Sequence, residues 1–103
     1  MLKRRNKRRY LAILYDLSMS HTDVRREIDE RFTELFGSLA IEFAYVRAYY
    51  CKHEGILILG CDLNYVEQIL FTVAVLHRPV TAIAMSGTLR RLRKGLDVPR
   101  FII

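Results

Sequence analysis

The order of strand-like and helix-like segments constrains the fold of this 103-residue chain most strongly. An apolar, aromatic-rich run at 10–17 predicts a first strand. Between Ser20 and Gly37 the apolar residues recur at helical spacing, either Ser20 or Thr22 is able to cap the start of the helix, and Gly37 is able to end it. The segments 41–50 and 55–61 then predict the two strands of a hairpin.

A second helix and a fourth strand complete the pattern. The helix follows Asp62, which is able to cap it, and the run at 80–85 predicts the strand. Residues 88–94 predict one or two basic helical turns that Gly95 ends. This order predicts an α+β, ferredoxin-like βαββαβ fold, in which two helices cover one face of a four-stranded antiparallel sheet. A short basic C-terminal helical segment follows it.

The length of the chain suits a single domain. We predict a basic N-terminal tail at 1–9, a folded domain at 10–95 and an apolar C-terminal tail at 96–103. The two cysteines are too few for a disulfide scaffold or a four-ligand zinc site, which favours a reducing compartment. Because the apolar runs are too short for a signal peptide or a membrane span, we expect a cytoplasmic protein that does not bind membranes.

The net charge of +6 is concentrated at the two ends of the chain. Residues 1–10 carry only basic charges, 90–103 are strongly basic, and the segment between them is net acidic. In the predicted sheet the first strand begins beside the end of the fourth, so both basic ends are expected to form one patch typical of a polyanion binder. The candidate RNA-binding residues are Lys3, Arg4, Arg5, Lys7, Arg8, Arg9, Ser86, Gly87, Thr88, Arg90, Arg91, Arg93 and Lys94.

Simpler interpretations of the same residues stay open. The basic ends could be a solvated tail with a few surface arginines, and Thr88 could be an N-cap with no phosphate nearby. The third strand, 55–61, has no aromatic residue, so we do not expect bases to stack on the sheet. Its apolar residues on both faces predict that something protein-like covers the sheet face away from the helices.

The second predicted helix is apolar on nearly all sides, which often marks a protein partner. Its expected core stripe is Val66, Ile69, Leu70, Val73 and Ala74. The main polar groups on the opposite side are Glu67, Gln68 and Thr72. The candidate partner-binding residues are Tyr65, Phe71, Val75 and Leu76.

The sequence predicts no active site. His21, His53 and His77 are not accompanied by carboxylates or cysteines at the spacing of a metal site or a nucleophile pair. We therefore predict no catalytic residue and no metal ligand in this chain.

Three segments resemble ribonuclease P protein component two, a small subunit of archaeal and eukaryotic ribonuclease P. They are RRYLAILYDL at 8–17, GILILGCDLNYVEQILFTVAVL at 55–76 and VTAIAMSGTLRRLRK at 80–94. The resemblance implies a ferredoxin-like fold and a non-catalytic subunit of an endoribonuclease complex, which binds the ribonuclease P RNA and supports 5′-leader removal from precursor tRNA. It also implies a partnership with the barrel-shaped component three.

In that family the RNA performs the hydrolysis with magnesium, so the resemblance implies no cofactor in this chain and only indirect contact with precursor tRNA. It places the segment from Ser86 to Lys94 on the RNA side. Two alternatives stay open: a generic module that binds single-stranded RNA or DNA, and a protein–protein adaptor with an incidental basic tail. Salt separates them, because only nucleic-acid binding weakens steeply as salt rises.

Overall fold

A computed structural model of the chain describes residues 7–97. The predicted RNA-binding residues Lys3, Arg4 and Arg5 and the tail from 98 to 103 lie outside the described residues. In chain order the elements are β1 (Arg8–Tyr15), α1 (His21–Phe36), α2 (Ser38–Ala44), β2 (Arg47–Tyr49), β3 (Ile56–Asp62), a 3-10 turn (Leu63–Tyr65), α3 (Val66–Ala74), β4 (Val80–Ser86) and α4 (Leu89–Asp97).

The four strands form one antiparallel sheet in the order β2-β3-β1-β4. The two central strands, β1 and β3, alternate their side chains between two apolar clusters. Leu11 and Ile13 pack with α1 and α3 on one face, while Ala12 and Ile58 pack with Leu92 of α4 on the other. The ferredoxin-like α+β fold predicted from the order of the elements is confirmed, and α4 lies on the sheet face opposite α1 and α3.

The first helix forms where its periodicity predicts. The hydroxyl of Ser20 accepts from the backbone amide of Asp23 at 3.1 Å, which satisfies an amide at the helix start. Val24, Ile28 and Phe32 are buried along one side. Gly37 ends the helix at φ +96° and ψ 160°, and its amide donates to the carbonyl of Thr33 at 2.8 Å.

The prediction of a long strand at 41–50 was wrong. The structure has the seven-residue helix α2 there, followed by the three-residue strand β2. Ala40, Ile41 and Ala44 have the spacing that turns them toward the core from a helix, and this packing outweighs the strand preference of the neighbouring residues. Tyr45 then adopts the left-handed conformation at φ +49° and ends the helix. Only the end of the predicted strand pairs with β3 as a hairpin.

Three further details differ from the sequence predictions. Gly95 does not end the basic helix, which continues to Asp97. In α3, Thr72 is buried and its hydroxyl donates to the carbonyl of Gln68 at 2.7 Å, whereas Ala74 is exposed. The hydrogen bond to the preceding turn satisfies the buried hydroxyl and lets Thr72 join the core side.

Replacing Gly37 with alanine is expected to lower the free energy of unfolding by about 2 kcal/mol, because its backbone lies in a region that is essentially restricted to glycine. Open space surrounds the position, so the loss would report backbone strain and not a clash. Gly87→Ala is the matched control: its φ is not positive, and a Cβ would meet Arg9 at ordinary contact distance. Urea denaturation measures both variants, and equal losses would contradict the explanation.

Candidate nucleic-acid interface

The two basic ends of the described chain meet where β1 begins and β4 ends. Tyr10 pairs with Ser86 in the sheet, and the guanidinium of Arg9 lies 3.6 Å from the position that a Cβ on Gly87 would take. Arg8 and Arg9 belong to β1 and are held by the sheet. We name this region, together with the helix α4 (Leu89–Asp97) that starts from it, the basic corner, and its cationic residues are Lys7, Arg8, Arg9, Arg90, Arg91, Arg93 and Lys94.

The turn between β4 and α4 fixes the geometry of the basic corner. The hydroxyl of Ser86 accepts from the amide of Thr88 at 3.3 Å, and the hydroxyl of Thr88 accepts from the amide of Arg91 at 3.1 Å. Thr88 therefore caps the start of α4, which is compatible with both alternatives for this turn. Since two amides of this turn are engaged within the protein, phosphate binding here would rest mainly on the arginine side chains.

The helix α4 presents its charges on two flanks and its apolar residues to the sheet. Leu92 is buried, and Leu89 and Leu96 are half-buried on the same side. Arg93 lies on the flank toward β2, where its guanidinium donates to the carbonyl of Tyr50 at 2.9 Å. Arg91 lies on the opposite flank, toward β4. The helix therefore forms a cationic ridge across the sheet.

The C-terminal end of α4 is anchored to the β2–β3 turn by three polar groups. The carboxylate of Asp97 contacts His53 at 3.1 Å and Lys52 at 3.3 Å. The hydrogen bond from His53, followed by that from Lys52, lowers the pKa of Asp97 below its ordinary value. His53 had been predicted only as a turn residue. Its pairing with Asp97 arises from tertiary contact across 44 positions of the chain.

The helix α4 covers part of the second face of the sheet. The apolar residues on both faces of β3 predict a protein-like cover for this face. On that face Ile58 packs against Leu92 and is fully buried, so the chain supplies part of the cover itself. The uncovered area is correspondingly smaller than the sequence suggests.

The predicted protein-contact residues of the second helix do not form one exposed surface. Tyr65 and Leu76 are half-buried against the core, and Val75 is half-buried as well. Phe71 is 51% exposed, and its ring meets Phe36 of α1 at a centroid distance of 6.3 Å. Of this group, Phe71 is the residue best placed to contact a partner.

The two cysteines are free, and they should differ in reactivity. Burial raises the pKa of the Cys61 thiol to about 11, whereas Cys51 is half-buried beside the β2–β3 turn. Because the thiolate is the reactive form, iodoacetamide at about pH 8 is expected to label Cys51 in the folded protein and to label Cys61 only after unfolding in urea. Mass spectrometry of the labelled peptides measures this, and equal rates in the folded protein would contradict the burial of Cys61.

Residues 7–97 contain no cluster of three or more histidine, cysteine, aspartate or glutamate residues placed to hold a metal ion. Within the same range, every helix is too short or too polar to cross a membrane. In comparisons with protein-family models and with curated proteins, nothing matches this chain.

Proposed function

We propose that this chain is a non-catalytic protein subunit of ribonuclease P, which acts in the cytoplasm and binds the catalytic RNA of that enzyme. The single observation that supports RNA binding best is the basic corner, where the start of β1, with Arg8 and Arg9, adjoins the turn that leads into the basic helix α4. The resemblance of 8–17, 55–76 and 80–94 to component two is the reason for proposing the ribonuclease P RNA as that RNA.

The basic corner would act by neutralising phosphates. Arg90, Arg91 and Lys94 are exposed on a helix whose position is fixed at both ends by contacts with the sheet and the β2–β3 turn. Contacts of this kind orient a protein on RNA but do not read its sequence. They would reduce repulsion between RNA segments and so lower the magnesium requirement of the RNA, which itself performs the hydrolysis.

The opposite layer of the domain is the proposed side for component three. Phe71, Leu35 and Leu39 of the helical layer are exposed apolar residues, and α4 with its charges lies on the other sheet face. An arrangement with RNA on one face and a protein partner on the other lets both bind at once. Precursor tRNA would then meet this chain only indirectly, through the assembled complex.

The test is cleavage of precursor tRNA by the cognate ribonuclease P RNA at limiting magnesium, in the presence of component three. Adding this chain is expected to stimulate cleavage, because the basic corner offsets phosphate repulsion that magnesium otherwise screens. A variant with glutamine at Arg90, Arg91 and Lys94 is the matched negative control. No stimulation by the folded wild-type chain would overturn the proposal, and RNA binding without stimulation would favour a generic RNA-binding module.

A further inference from the structure

Two tyrosine rings meet on the sheet face that α4 partly covers. Tyr10 of β1 and Tyr49 of β2 have ring centroids 5.6 Å apart at an interplanar angle of 69°. They come from strands on either side of β3, and the residue between them is Gly60, which pairs directly with Tyr10. Strand β3 contributes no aromatic side chain, but the two strands next to it, β1 and β2, bring two tyrosine rings together above it.

Gly60 makes this meeting possible. A Cβ at this position would lie 2.8 Å from the ring of Tyr49 and 3.0 Å from the ring of Tyr10. It would also lie 3.0 Å from the guanidinium of Arg8. Glycine inside a strand commonly marks a close approach of other groups, and here two rings and one cation approach the same backbone position.

The elements next to the two rings carry arginines. The guanidinium of Arg8 donates to the carbonyl of Tyr45 at 3.0 Å, and exposed Arg47 pairs with Gly60 from the edge strand. From the other side, Arg93 of α4 reaches the carbonyl of Tyr50, and Arg90 lies on the same flank by the helical period. The strands and the helix on either side of the ring pair therefore both carry arginines.

Two carboxylates of the neighbouring elements, Asp62 of β3 and Asp97 of α4, are engaged by other groups. Asp62 pairs with Arg8 in the sheet register, but its side chain is buried and accepts from the amide of Asn64 at 2.8 Å. Asp97 is held by Lys52 and His53. Arg8, Arg47, Arg90 and Arg93 on these elements outnumber the two carboxylates, and this excess of positive charge favours an anionic ligand over a cationic one.

Open space for a ligand adjoins the rings at the edge of the sheet. A shallow groove of about 500 Å³ runs along β2 and is lined by Arg25, Tyr45, Val46, Arg47, Ala48 and Tyr49. Tyr49 thus borders both the ring pair and this groove. The positive charge of Arg25 is paired with Asp29 at 3.0 Å, so Arg47 is the cation that the groove offers to a ligand.

We infer that Tyr10, Tyr49 and Gly60, flanked by Arg8 and Arg47, form a platform on which an unpaired base of bound RNA stacks. A nucleotide combines a flat aromatic base with an adjoining phosphate, and the platform combines rings with adjoining guanidinium groups. An apolar protein segment would offer no anionic group to pair with the arginines. This inference rests on the proposed RNA binding and adds that the chain contacts single-stranded RNA as well as phosphates.

The test compares Tyr49→Leu with Tyr50→Leu in binding to an oligouridylate RNA and to a duplex RNA of equal length. Leucine keeps apolar packing but removes the ring. Tyr49→Leu is expected to weaken binding of the oligouridylate about tenfold and to leave duplex binding unchanged, since stacking requires an unpaired base. Tyr50 is the matched control, because it adjoins Tyr49, is 77% exposed and contributes only its backbone carbonyl to Arg93.

Equal effects of the two leucine variants on the oligouridylate, or equal weakening of the duplex by Tyr49→Leu, would overturn the platform while leaving the basic corner intact. No binding of either RNA by the wild-type chain would overturn the proposed function as well. A measurement on the wild-type chain guards against a folding defect in the variants. Photo-crosslinking of 4-thiouridine RNA should label peptides containing Tyr10 or Tyr49, and labelling confined to other peptides would contradict the platform.

Discussion

The triple variant in which glutamine replaces Arg90, Arg91 and Lys94 is expected to bind the ribonuclease P RNA about 100-fold more weakly. Each lost phosphate contact costs roughly 1 kcal/mol of binding free energy, and each 1.4 kcal/mol corresponds to about a tenfold change in affinity. The three side chains are exposed on α4, and glutamine preserves its helical preference. Arg93 is left in place because it holds the carbonyl of Tyr50. Filter binding at roughly 100 mM salt measures the loss.

The salt dependence of the same variant gives a second readout. Fewer phosphate contacts release fewer counterions, so the plot of log affinity against log salt should become shallower by about 2. The matched control replaces Arg26, Arg31 and Arg78 with glutamine, which removes the same charge from residues that form ion pairs away from α4. If both triple variants weakened binding equally, overall charge and not the basic corner would govern affinity.

Phe32→Ala is expected to lower the free energy of unfolding by about 4 kcal/mol, because removal of a buried aromatic side chain leaves a cavity that the core fills only partly. Phe32 is fully buried, and its ring lies 5.1 Å from that of Phe36. A loss of this size is a large part of the total stability of a domain of this length, which is commonly about 5–15 kcal/mol. Urea denaturation followed by circular dichroism measures it.

Phe43→Ala is the control for that experiment. Phe43 belongs to α2 and is 56% exposed, so its truncation should cost no more than about 0.5 kcal/mol. A comparable loss in the two variants would mean that the core does not lie between α1 and the sheet. The contrast therefore tests the placement of α1 independently of any RNA.

Local signals in the sequence account for most of the fold. The helical spacing from Val24 to Phe32, the cap at Ser20 and the glycine at Gly37 are all properties of neighbouring residues, and the structure agrees with them. The strands β1, β3 and β4 likewise appear within about two residues of their predicted positions. Their order was sufficient to predict the sheet, because few topologies accommodate it.

The elements that could not be predicted from the sequence depend on contacts between distant residues. Helix α2 is too short for a clear period, and its packing against the core decides its conformation. The course of α4 over the sheet depends on Asp97 meeting Lys52 and His53, which are more than 40 positions away. Neither contact leaves a local pattern in the sequence.

The candidate interface was predictable only in part, because local charge clusters are visible in the sequence and contacts between distant residues are not. The two basic ends were visible as charge clusters, and strand order predicted that they would adjoin. The meeting of Tyr10 and Tyr49 was missed because it requires the register of three strands. One signal was available in advance: Gly60 interrupts an otherwise apolar strand, and such a glycine often marks a close approach.

The most direct test of RNA binding at the basic corner is a titration of the ¹⁵N-labelled chain with the catalytic domain of ribonuclease P RNA, the ligand that we propose, followed by nuclear magnetic resonance. We expect the largest amide shifts at Arg9, Tyr10, Gly87, Thr88 and Leu89, because these backbone groups adjoin the converging cations. Shifts confined to α1 and α3, or no shifts at RNA concentrations that saturate binding, would contradict an interface at this corner.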